Sequence, residues 1–163
     1  MDGGMPSPQI LVRLDLQLAA RPESAAAARR AIEALDMPDT LIADAKLLVS
    51  ELVTNSVRHA GLGPEDSIQV TIRWSGSGLR VIVWDRTTDL ALSPVVGPFR
   101  PAPGADSGWG LFLVDRIARR WGTSLDRRAG YWFELELEPA EASRESRVPR
   151  PPPPASPLAF RRP

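Results

Sequence analysis

The residues of this sequence best suited to chemistry fall in three short groups. The first is Glu51-Leu52-Val53-Thr54-Asn55, with Arg58 and His59 close behind. On a helix, at about 100° per residue, the apolar arc centres between Leu48, Val49 and Leu52; Asn55 falls about 20° outside Leu48, and Glu51 lies one turn before it. Both belong at the rim of the buried face. A carboxylate and an amide oxygen one turn apart at a core boundary can share a small hard cation and a phosphate oxygen. Mg²⁺ is commonly held this way, with waters completing its octahedron. The same spacing describes a solvated helix edge with an internal hydrogen bond, and taken alone it fits that reading better.

The second group is Val81-Ile82-Val83-Trp84-Asp85, an apolar strand ending in an acid. Such an aspartate can accept a hydrogen bond from the exocyclic amine of a base, or simply start a turn; alone, the turn is the simpler reading. The third is Gly108-Trp109-Gly110-Leu111, between a Pro- and Gly-rich stretch and a helical pattern. Unpaired backbone N–H groups at a helix start suit phosphate, and a glycine hinge or N-cap explains the same residues equally well.

The elements that must position these groups can be read from periodicity. Ile10, Val12, Leu14, Leu16 and Leu18 alternate with Leu11, Arg13, Asp15 and Gln17, which predicts a half-buried strand. Pro22, Ala25 to Ala28, Ile32 and Leu35 predict a first helix, and Pro38-Asp39 opens a second over residues 39 to 59. Ile68 to Trp74 and Leu79 to Trp84 flank Ser75-Gly76-Ser77-Gly78 as a β-hairpin. Residues 86 to 107, with Pro94, Pro98, Pro101 and Pro103, read as a lid or disordered insert. Helical spacing returns from Leu111 to Trp121, with Leu111, Val114, Ala118 and Trp121 on one side. Strands follow near residues 123 to 128 and 131 to 138.

Beyond Pro139 the apolar pattern stops, and Arg150-Pro151-Pro152-Pro153-Pro154 marks a disordered or polyproline tail. The expectation is an α+β two-layer sandwich. Its sheet is mixed and mostly antiparallel, with about five strands and three helices over one face. The domain should occupy residues 9–139, between a flexible N-terminus (1–8) and a Pro/Arg-rich tail (140–163).

Composition removes several alternatives. The 20 basic and 20 acidic residues cancel, so no global field attracts nucleic acid or an anionic membrane. The absence of cysteine excludes disulfides, thiolate metal sites and cysteine nucleophiles. His59 is the only histidine, which excludes a His-rich zinc site and leaves one residue around which a Ser-His-Asp triad could form. Lys46, the only lysine, lies in Asp44-Ala45-Lys46-Leu47 with no glycine beside it, so a Walker A loop is absent. No run is long enough to cross a membrane, and the opening MDGGMPSPQ lacks the regions of a signal peptide. A cytoplasmic protein with no direct nucleic-acid or membrane partner is expected.

In this order, the three groups resemble the N, G1 and G2 boxes of the histidine-kinase-like (Bergerat-fold) ATPases. The likeness covers roughly residues 10 to 138 and is closest to the anti-sigma-factor serine/threonine kinase branch. The segments that carry it are Glu-Leu-Val-Thr-Asn-Ser-Val-Arg-His-Ala at 51 to 60 and Gly-Trp-Gly-Leu-Phe-Leu-Val at 108 to 114. The resemblance implies ATP and Mg²⁺ as cofactors, with Asn55 chelating the ion and Glu51 as the base that polarises an attacking hydroxyl. It implies that Arg58 and His59 flank the nucleotide and that Asp85 reads the adenine amino group. Thr88 belongs to the nucleotide contacts on the same basis, and Gly108, Gly110 and the Leu111 amide would cradle phosphates. The implied partners are a serine-bearing anti-sigma-factor antagonist and, in another state, a sigma factor; a homodimer is a further expectation. A non-catalytic nucleotide-binding partner-switching module is the alternative, because the base end departs from the pattern: Arg86-Thr87-Thr88 follows Asp85, and Ala129-Gly130-Tyr131 stands where the family usually has a threonine.

Overall fold

The computed structural model describes residues 10–63, 65–85, 109–125 and 129–137. Its elements run β1 (Val12–Ala19), α1 (Ser24–Glu33), α2 (Asp39–His59), β2 (Ser67–Trp74), β3 (Gly78–Asp85), α3 (Trp109–Ile117), β4 (Arg120–Leu125) and β5 (Ala129–Glu136). The five strands form one sheet in the order β1-β2-β3-β5-β4, and all four pairings are antiparallel. This is the α+β sandwich expected from the sequence. The lid region, Thr88, Gly108 and both terminal segments lie outside the described residues.

Alternation decides which side of the sheet the helices cover. Leu14, Ile72, Val81 and Phe133 stand opposite one another on β1, β2, β3 and β5, as do Leu16, Val70, Val83 and Tyr131. These rows join Ala28 and Ile32 of α1 and Leu41, Ala45, Leu48, Val49, Leu52 and Val53 of α2 in one core. The intervening positions, including Arg13, Arg73, Arg80 and Glu134, face the other way.

Helix α2 is the long spine, 21 residues and therefore roughly 32 Å at 1.5 Å per residue. Its buried stripe runs from Leu41 to Ser56 at helical spacing. Alanines on α1 let the two helices approach closely, and Ser24 Oγ ties the start of α1 to β1 by donating to the Ala19 carbonyl at 2.6 Å. Lys46 is used as a surface pin, 2.8 Å from Glu33. The hairpin between β2 and β3 turns through Gly76, whose φ of 82° is a left-handed conformation that favours glycine.

The structure starts the first strand at Val12 and moves the boundary between the third helix and the fourth strand. Helix α3 ends at Ile117, and Trp121, expected on its apolar side, belongs to β4 opposite Phe133. The spacing of Val114, Ala118 and Trp121 is helical, yet Arg119 donates its backbone N–H to the Glu134 carbonyl at 2.8 Å. Pairing with β5 satisfies the backbone there, and Trp121 still reaches the helix by donating Nε1–H to Asp115 at 2.9 Å.

Gly130 sits where β5 passes between β3 and β4, opposite Trp84 and Ser124. A Cβ there would run into the Val83 carbonyl oxygen and the Trp84 Cα. Both are backbone of a central strand and cannot swing aside. Gly130→Ala is therefore expected to cost about 1–3 kcal/mol, in the range of an overpacked core. The loss should appear as a lower urea midpoint with an unchanged slope.

Candidate functional site

Glu51 and Asn55 lie on successive turns of α2, one position ahead of the buried Leu52 and Ser56, and both are half-buried. That is the rim position the helical arc required. Neither side chain has a hydrogen bond to the other or to any described residue. The internal bond of a plain solvated edge is thus missing among the described residues. Arg58 and His59 follow Asn55 by three and four residues, hence on its side of the helix, and both are exposed at the last turn.

Helix α3 packs directly on this part of α2. Gly110 comes so close that a Cβ on it would stand 2.6 Å from Glu51 Oε2 and 3.4 Å from Glu51 Cβ. A side chain at 110 would therefore displace the Glu51 carboxylate, which lies directly against the start of α3. Gly110 and Leu111 lie in the first turn of α3, where backbone N–H groups have no acceptor within the helix. Leu111 also packs against the core, which fixes that turn.

Asp85 is the last residue of β3, opposite Ala129, and only 4% exposed. It alternates with Val81 and Val83, so it points to the helix side of the sheet. Residues 60–66 connect the end of α2 to the start of β2, whose Gln69 stands opposite Trp84. The C-terminal end of α2 and the end of β3 therefore share one end of the sandwich. A buried carboxylate is costly unless it is partnered, and Asp85 has an interaction of its own within the structure. Its charge is felt by Tyr131, a diagonal neighbour on the same face: burial first, and then Asp85, push the phenol above its ordinary pKa.

Sequence reasoning passed over Ser56. Its side chain is buried, 1% exposed, and its Oγ has no hydrogen-bond partner among the described residues. It was hidden because it continues the buried stripe beyond Leu52 as a small residue; the signal was a hydroxyl at an apolar position beside Asn55. An orphaned buried hydroxyl costs about 1–3 kcal/mol. Ser56→Ala is expected to raise stability by about 1 kcal/mol, read as a higher denaturant midpoint, and to weaken any ligand that uses the Oγ.

Among the described residues no three His, Asp or Glu side chains converge on a point. An ion here would find Asn55 as a neutral oxygen donor, with Glu51 one turn away. That fits a magnesium ion arriving with phosphate and water in its shell rather than one caged by protein. The unpaired Glu51 and Asn55, the glycine-opened α3 and the buried Asp85 suit such a group together.

A two-layer sandwich of three helices on a five-stranded antiparallel sheet is consistent with a histidine kinase-like ATPase domain. The chain belongs to that family, whose model matches residues 18–130. It is 31% identical over 118 residues to the serine-protein kinase RsbW of Listeria innocua serovar 6a, covering 64% of this chain and 74% of the relative. The RsbW of Listeria monocytogenes serovar 1/2a matches with the same identity and coverage. An uncharacterised protein of Streptomyces coelicolor is 35% identical over 97 residues, 56% of this chain and 81% of its own length. No helix among the described residues is long and apolar enough to cross a membrane.

Proposed function

We propose that this chain binds Mg-ATP between α2, α3 and the end of β3, and transfers the γ-phosphoryl group to a serine or threonine of a protein partner. The partner is an anti-sigma-factor antagonist, and in another state the same protein holds a sigma factor, so that the activity regulates transcription. The setting is the cytoplasm, without direct contact to nucleic acid or membrane, and a homodimer is the working assembly. Residues 9–139 form the working domain in this reading. Support comes from the family, from the similarity to RsbW, and above all from one juxtaposition: the Glu51 carboxylate against Gly110 at the start of α3.

In this reading each residue has a role its position permits. Asn55 offers an amide oxygen to the ion, and Glu51 orients and deprotonates the attacking hydroxyl. Gly110 and the Leu111 amide receive phosphate oxygens at the first turn of α3, and Gly108 joins them by the family resemblance. Asp85 accepts a hydrogen bond from the adenine amine, and Arg58, His59 and Thr88 flank the nucleotide. When bound, the magnesium ion would supply neutralisation of phosphate charge.

Incubation with γ-labelled ATP and a candidate antagonist tests the proposal. Label on a partner serine or threonine supports the kinase. ATP binding without label supports a non-catalytic partner-switching module, a reading favoured by the buried Tyr131 beside Asp85 at the base end. Absence of ATP binding overturns both.

A further inference from the structure

The face of the sheet away from the helices carries a second feature, independent of the nucleotide reading. The strand register sets Arg13 opposite Arg73, Arg73 opposite Arg80, Arg80 opposite Glu134, and Glu134 opposite Arg120. Like charges directly opposite destabilise a sheet, so each arginine in such a row calls for an anion. Arg13 has Asp15 at 2.8 Å, Arg80 and Arg120 share Glu134 at 2.6 Å each, and neighbouring Arg119 takes Glu136 at 3.3 Å. Arg80 also stacks over Trp132, 4.3 Å from the ring centre. Arg73 is the exception. Among the described residues it has no carboxylate within ion-pair distance: the Asp15 charge reaches it only at longer range and is already bonded to Arg13 and Thr71, and the Arg73 Nε is shut off from solvent without a hydrogen-bond partner.

Arg73 lines a groove of about 460 Å³ at the β2–β3 hairpin end of the sheet, together with Arg80 and Arg120. Ile10, Trp74 and Leu137 contribute apolar wall, and Ile10 is 51% exposed there. The wall thus sets charged and hydroxyl groups beside aliphatic and indole surface.

We infer that the groove binds a carboxylate carried on an aliphatic body. Charge calls for an anion: three guanidiniums and two carboxylates line the wall, and one of those carboxylates, Glu136, is shared with Arg119. Geometry agrees, because a guanidinium fork matches a carboxylate in a bidentate pair. The apolar wall requires the carbon body. Both a free alkanoate and an acidic residue among aliphatic neighbours in a peptide have this chemistry.

The test is titration of the full chain with hexanoate, N-acetyl-Leu-Glu-Leu-amide, hexanol and inorganic phosphate, following the arginine Nε–Hε signals by NMR. Saturable shifts with either carboxylate are expected, and the tighter of the two names the source. Binding should weaken at least tenfold in Arg73→Gln and by less in Arg73→Lys, which keeps the charge and loses the fork. Circular dichroism checks that both variants keep the sheet. The inference is overturned if neither carboxylate binds, if Arg73→Gln binds as well as the parent, or if hexanol or phosphate alone saturates the groove equally. Asp85 lies seven residues along β3 from Gly78, roughly 24 Å away, so failure here leaves the nucleotide site untouched.

Discussion

Replacing Asn55 with alanine is expected to abolish measurable Mg-ATP binding while leaving the fold intact. The two halves of that outcome rest on different observations. The Asn55 side chain makes no hydrogen bond to any described residue and is only half-buried, so its removal orphans no partner and opens no cavity in the core. Alanine is also the better helix former by roughly 0.6 kcal/mol, so α2 should be as stable as before or slightly more so. Binding is a separate matter. Among the described residues no acidic cluster stands ready to hold the ion in place of the amide. A loss of at least 100-fold in affinity, about 2.7 kcal/mol, is the expected result. Titration calorimetry with Mg-ATP, set beside a thermal melt of the same sample, checks both halves. Parent-like affinity in Asn55→Ala would remove this residue from the site.

Much of the architecture was legible because the chain's local preferences and its tertiary demands agree. The alternation read from Ile10 to Leu18 survives as β1, which begins at Val12, and the second helix expected at about 39 to 59 is α2. The error at Trp121 came where they disagree: a residue at helical spacing from Val114 is taken into a strand because β5 needs a neighbour. The site shows the same division. The placement of Glu51 and Asn55 followed from helix geometry alone. The reason for Gly110 did not, since the sequence offered a hinge, a cap and a phosphate cradle with equal force. Only the packing of α3 onto α2 reveals that a side chain there would collide with Glu51. Arg73 was illegible for a related reason. An orphaned polar atom is defined by which neighbours fail to reach it, and no one-dimensional pattern records that.

The collision between Gly110 and Glu51 makes the second large prediction sharper than a single substitution allows. Glu51→Ala is expected to bind Mg-ATP near the parent affinity and to lose phosphotransfer by about 10²–10⁴-fold, the usual contribution of a general base. Gly110→Ala should act through the same carboxylate. The atom its new Cβ meets first is Glu51 Oε2, the far end of a flexible side chain, at 2.6 Å. The side chain can yield, so the expected cost falls on the position of the base rather than on the fold. If that is the only harm, the two changes cannot add. Once Glu51 is alanine, its carboxylate is gone, and Gly110→Ala should cost little further activity. A double-mutant cycle on transfer to the partner hydroxyl would read this as a coupling at the upper end of the 0.5–3 kcal/mol seen for residues in contact. Independent effects would instead mean that Gly110 serves the phosphates through its backbone, with Glu51 merely adjacent. A parent-like rate in Glu51→Ala alone would leave the chain as a nucleotide-controlled binding module.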